Sequence, residues 1–204
     1  MGPGRTRGRG SLKATVRSLV GKHGTMRSFD QNEMAVVAQA VEVAEDITAN
    51  HFKISTSEWR HVRYDIGTLA SLSAEEITEG AFAQITRYSR FPEPKLRGDR
   101  QYDFFKICLQ DHTITTALER DGNLRLLPLM VYVATHELVH VVRFCKFLQR
   151  FDAEAEERNQ EEIRVHEITQ RALRNLGLTD LDYVLQGYRK YGTMEVLRDL
   201  RGSS

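Results

Sequence analysis

The segment "LLPLMVYVATHELVHVVRF", residues 126–144, places His136, Glu137 and His140 in the most apolar part of the chain. Burying unpaired ionisable groups costs several kcal/mol each, so a stable fold must supply these three with partners. Pro128 fits an early helical position, and the apolar residues on every side call for a helix buried almost all round, ending near Gln149. On such a helix residues four apart share a face, so His136 and His140 can direct two imidazole nitrogens at one ion with Glu137 beside them. This is the HExxH pattern, a zinc site whose glutamate is a general base. The bland alternative is a pair of core histidines hydrogen-bonded to carboxylates.

A catalytic zinc site takes three protein ligands and an open position, so a third ligand is expected downstream. The acidic stretch "DAEAEERNQEEIRVHEI" contains Glu162 and, four residues on, His166. Glu161 is the main rival and Glu157 a distant one. Glu161 shares a register with Val165, Ile168 and Ala172, an apolar seam that would bury it. Glu162 falls beside that seam with His166 and Thr169, and its polar partner one turn on favours it as the ligand. The remaining acids of the stretch read as a solvated face.

His136-Glu137-x-x-His140, followed after 21 intervening residues by Glu162, resembles the gluzincin, thermolysin-like zinc metallopeptidases over about residues 128 to 176. The resemblance implies a zincin-like domain, Zn2+ as cofactor, Glu162 as third ligand, and a residue one turn later that supports a ligand histidine. The family usually has aspartate where this chain has His166, so His166 is expected either as that outer support or as an alternative ligand. It implies a peptide or protein substrate laid as an added strand along a sheet edge near "TITTAL". It also implies hydrolysis by zinc-activated water, with Glu137 taking the proton and a Tyr, His or Arg donor for the oxyanion. Candidate donors are His112, Tyr183, Tyr188 and Tyr191, among which spacing does not choose.

Around this centre the chain reads as α+β, mainly helical, with a small antiparallel sheet or hairpin before the HExxH helix. Asp30 and Glu33 form a capping box for a helix to about Asn50, and Ser73 with Glu76 predicts another through Phe82 and Ile85 to about Tyr88. "HFKIS" has the composition of a short strand, and "TSEWRHVRYDIGTLASL" fits no single period. "RFPEPKLRGDR" is a loop. "YDFFKICL" and "TITTAL" read as a strand pair joined through Gln110, Asp111 and His112. Helices from about Ala153 to Leu176 and from Thr179 to Leu200 complete the chain, with Gly177 as a left-handed cap between them.

The 204 residues suit one domain, 26–204, behind a basic tail, 1–25, whose composition predicts disorder. With 29 Lys and Arg against 28 Asp and Glu, the net charge of +1 makes nucleic acid an unexpected partner, although "GRTRGRG" could touch phosphate. Cys108 and Cys145 are too few for a disulfide framework and suit reduced thiols. Arg17 breaks the only apolar stretch near the start, and the uninterrupted apolar run Leu126 to Ala134 is short of a bilayer span, so a cytoplasmic protein without membrane contact is expected. The rival functional class is a non-catalytic zinc-binding interaction or regulatory protein. A protease that cuts a single partner would use the same site as a general peptidase. Oligomeric state is not encoded in these features.

Overall fold

The computed structural model describes residues 26–90 and 102–191. Nine regular elements follow in order: α1 (Gln31–Phe52), α2 (Thr56–Trp59), β1 (Tyr64–Gly67), β2 (Ala83–Arg90), β3 (Tyr102–Leu109), α3 (Asp111–Arg120), α4 (Leu126–Cys145), α5 (Ala155–Leu173) and α6 (Leu181–Tyr191). Two 3-10 turns, Leu69–Ser71 and Ala74–Glu76, lie between β1 and β2. The architecture is α+β and mainly helical.

α1 begins where its capping box predicts. Oδ1 of Asp30 accepts from the backbone N–H of Asn32 and Glu33 at 2.8 and 2.9 Å, and Glu33 returns a carboxylate oxygen to the Asp30 N–H. It ends at Lys53 in the left-handed region (φ 52), so "HFKIS" contains the last turn and cap of this helix, in place of the strand its composition suggests.

α4 is the centre of the molecule. Leu129, Met130, Val131, Leu138, Val139, Val141 and Val142 are fully buried, and α1, α5 and α6 pack around it. Complete burial of each of these side chains contributes on the order of 1.5–3 kcal/mol relative to exposure. At 20 residues α4 is long and apolar enough by composition to match a membrane span, but 83% of that window is buried inside this fold, the position of a core helix.

The sheet has the order β1-β3-β2, with β2 antiparallel and β1 parallel to β3, so it is mixed where an antiparallel pair was expected. The partner of "YDFFKICL" is not "TITTAL". It is β2, in the stretch where the Ser73–Glu76 capping box predicted a helix. Glu76 does return to the Ser73 N–H at 2.8 Å, but the box closes only the turn Ala74–Glu76. Its carboxylate instead faces the sheet, accepting from Tyr88 at 2.6 Å and from Lys106 at 2.9 Å.

"TITTAL" lies inside α3. Its β-branched threonines are accommodated because Thr115 and Thr116 donate to the carbonyls four residues back, those of Asp111 and His112, at 2.9 and 2.7 Å. Gln110 and Asp111, expected in a strand connection, are buried ties between segments distant in sequence. Asp111 accepts from the N–H groups of Phe29 and Leu69, both at 3.0 Å. Gln110 accepts from the Thr78 N–H and donates to the carbonyls of Glu76 and Cys108.

Gly177 takes φ 64, the left-handed conformation expected of it after α5. The expected tail 1–25, the loop 91–101 and the extension toward Leu200 lie outside the described residues.

Candidate metal centre

Two helices build the site. α4 carries His136, Glu137 and His140, and α5 packs against it with Glu162 on the facing side. Nε2 of His136 is 3.3 Å from Oε2 of Glu162, and Nε2 of His140 is 3.2 Å from Oε1. One donor atom from each of the three residues lies within 4.8 Å of the others.

The surroundings fix how His140 points, while Nδ1 of His136 is buried without a hydrogen-bond partner among the described residues. Nδ1 of His140 donates to Oε1 of Gln149 at 3.1 Å, so the neutral imidazole has its lone pair on Nε2, facing Glu162. Burial raises the Glu162 pKa, but the contacts with His136 and His140 lower it further, and the net shift is downward. Burial lowers the His140 pKa, but the Glu162 contact outweighs it and the net shift is upward. Without a cation an imidazole proton therefore faces the carboxylate, and a cation at this point would take that proton's place. Two nitrogens and a carboxylate oxygen suit Zn2+. Among the described residues, no other His, Cys, Asp or Glu grouping has this form.

Glu137 is buried, and burial pushes its carboxyl above the usual carboxylate range against the opposing pull of His136 and His140. On the other side of the centre the Glu162 side chain is 47% exposed, which leaves an approach from solvent.

The structure separates the two rival glutamates. Glu161 turns into the α4–α5 seam, where Arg143 donates to it at 2.9 Å and forms a second, shorter contact, and Arg164 donates from the same helix at 2.9 Å. Both Arg143 and Glu161 are buried. Glu161 is thus an ion-pair partner that joins the helices, and Glu162, one position on, meets the histidines. Glu157 is exposed and outside the cluster.

His166 is not in the three-residue cluster. Its Nε2 accepts from the Gln170 amide at 2.9 Å, so the neutral ring carries its proton on Nδ1, which donates to the Tyr132 hydroxyl oxygen at 2.7 Å. The Tyr132 ring in turn stacks on His136 with centroids 6.1 Å apart. His166 therefore reaches His136 through Tyr132. Burial first, and then the nearby His136, hold the His166 pKa below its usual value.

Of the expected oxyanion donors, His112 sits in the first turn of α3 with both ring nitrogens buried and without a hydrogen-bond partner among the described residues. Tyr183 donates to Asp121 at 2.7 Å on an exposed part of α6. Tyr188 and Tyr191 are in α6, and their side chains lie outside the described residues.

Sequence reasoning missed Tyr132, Arg143 and Gln149. The first two were within reach: Tyr132 is one turn before His136, and Arg143 is three residues after His140 on the same helix. Gln149 was not, because it returns to His140 only through the turn after α4, where Phe147 adopts φ 54 and the Leu148 N–H bonds back to the Arg143 carbonyl at 2.9 Å.

Comparison with family models, curated proteins and solved structures finds no match.

Proposed function

We propose that the protein is a zinc-dependent metallopeptidase in which His136, His140 and Glu162 hold the ion and Glu137 is the general base. The observation that carries this reading is the convergence of two Nε2 atoms and one carboxylate on a single point beside a buried glutamate from the same HExxH turn. Structural zinc sites are closed by protein, whereas the exposed side of Glu162 favours a site open to substrate.

Zinc in this donor set supplies Lewis acidity toward water and toward a peptide carbonyl. Glu137 accepts the proton of the attacking water on a carboxylate oxygen as the new C–O bond forms. It then returns that proton to the amide nitrogen as the C–N bond breaks, so the products are a carboxylic acid and an amine, which exchange a proton to leave as carboxylate and ammonium. A carboxylate whose proton affinity is raised by burial suits both transfers. Gln149 keeps the His140 tautomer correct, and the Arg143–Glu161 pair holds the two helices in register. The substrate is a peptide or protein chain. With TITTAL inside α3, the sheet edges that remain for it are β1 and β2, and β2 is the one linked to the centre: Arg87 sits 4.7 Å from the Phe151 ring, Phe151 packs on Phe144, and Phe144 stacks on His140. Both cysteines are free thiols, which agrees with action in the cytoplasm.

The mechanism is tested with Glu137→Gln, which preserves size and removes the base. The variant is expected to bind zinc as the parent does and to lose hydrolysis of a peptide library by at least about 100-fold. Equal cleavage by the two proteins would reject the assigned role.

A further inference from the structure

A groove of about 680 Å³ lies between α1, α2 and β1, and none of His136, Glu137, His140 or Glu162 lines it. Its floor is apolar, formed by Val37 and Val41 of α1 with Trp59 and Ile66 across from them. Its rim is acidic, with Glu42, Glu45 and Asp65 against one cation, Arg60. Strand addition does not fill it readily, because the outward N–H of Ile66 on β1 already bonds to the Asp65 side chain at 2.9 Å. The groove therefore calls for apolar side chains flanked by positive charge.

We propose that this groove is the docking site for the chain's own residues 1–25. That segment carries Arg5, Arg7, Arg9, Lys13, Arg17 and Lys22 and no Asp or Glu, and it supplies Leu12, Val16, Leu19 and Val20 as apolar groups. It joins the described chain at Met26, and the groove starts at Met34 in the first turns of α1. From there to Glu45 the groove follows α1 for only about 17 Å at 1.5 Å per residue. Covalent linkage keeps the segment at an effective concentration on the order of millimolar, so weak individual contacts suffice. The acidic rim selects this segment, with its six cations and no acid, over the remainder of the sequence, which carries more Asp and Glu than Lys and Arg.

Trp59 is the single tryptophan of the chain and lines the groove, so its emission and its quenching by acrylamide report directly on occupancy. The full-length parent is expected to shield Trp59 at low salt and to lose that shielding in about 1 M salt, where the screening length falls to about 3 Å. Lys13→Glu with Arg17→Glu should expose Trp59, as should Glu42→Lys with Asp65→Lys. Combining all four reverses both partners and should restore shielding, which damage to the fold would not do. A synthetic peptide of residues 1–25 should also restore it when added to the Lys13→Glu, Arg17→Glu chain. Trp59 equally accessible in the parent and in both reversed proteins would overturn the proposal. Shielding that rises with protein concentration would also overturn it, assigning the groove to a second copy of the chain. Failure of the four-residue swap to restore shielding, with every variant folded by circular dichroism, would overturn it as well.

Discussion

Residue by residue, the two histidines of the candidate centre differ. Nδ1 of His136 is buried with no hydrogen-bond partner among the described residues, whereas Gln149 occupies Nδ1 of His140 and so determines which nitrogen faces Glu162. Outer partners of this kind typically change metal affinity 10- to 100-fold when removed. Gln149→Ala is therefore expected to weaken zinc binding by about that factor, measured by competition with a chromogenic chelator, with little change in thermal stability of the chelator-treated protein. An unchanged affinity would mean that Gln149 does not hold the imidazole. A second polar cluster, away from the centre, makes a pH-dependent prediction. Hydrogen bonds from Lys106, Tyr88 and the Ser73 backbone hold Glu76 down to about 2 from the ordinary value of 4.5. A depressed carboxyl contributes stability that is present above the unfolded pKa and is lost as pH falls through the folded one. The parent should therefore lose this contribution between about pH 4.5 and 2. Glu76→Gln is expected to be roughly 2–3 kcal/mol less stable at pH 7, with the difference shrinking toward pH 2, by urea unfolding. A difference independent of pH would assign the loss to packing and not to charge.

At the scale of elements, the α4–α5 pair brings the candidate ligands together, and Arg143–Glu161 is its polar fastening. Removing one member of a buried pair leaves a charge without compensation and costs roughly 3–5 kcal/mol. Glu161→Ala should show a loss of that size in denaturant unfolding, and Arg143→Ala combined with it should cost less than the two losses added. Strict additivity would contradict a direct pair. The long helices were legible in the sequence because their apolar period and capping signals agree: Asp30 with Glu33 for α1, Pro128 and the continuous apolar face for α4, Gly177 after α5. The sheet was less legible, for physical reasons. The Ser73–Glu76 capping box forms, yet tertiary bonds from Tyr88 and Lys106 recruit Glu76 and the chain continues into β2. The threonines of "TITTAL" signal a strand by propensity, but back-bonding to the preceding turn and the buried Asp111 tie favour α3. The parallel pairing of β1 with β3 joins residues about 40 apart, which no local pattern records. The register placed Glu161 in the apolar seam, where it is buried with Val165. The partner that favoured Glu162, His166, lies outside the three-residue cluster, and Thr169, expected beside the seam, is buried within it.

For the molecule as a whole, the candidate centre is set into the central helix, so binding of an ion there would be coupled to the stability of the fold. A ligand that binds only the folded state raises stability by RT ln(1 + [L]/Kd), about 2.7 kcal/mol at a hundredfold excess over Kd. Zinc is accordingly expected to raise the melting temperature of the parent and to leave that of His136→Ala unchanged. The most direct measurement is the metal content of untagged protein by elemental mass spectrometry, comparing the parent with Glu162→Ala and Glu161→Gln. The account predicts about one zinc per chain in the parent and in Glu161→Gln, and a marked loss in Glu162→Ala. A parent that holds no zinc after repletion would contradict it, leaving His136 and His140 as histidines of the core and removing the basis for a peptidase.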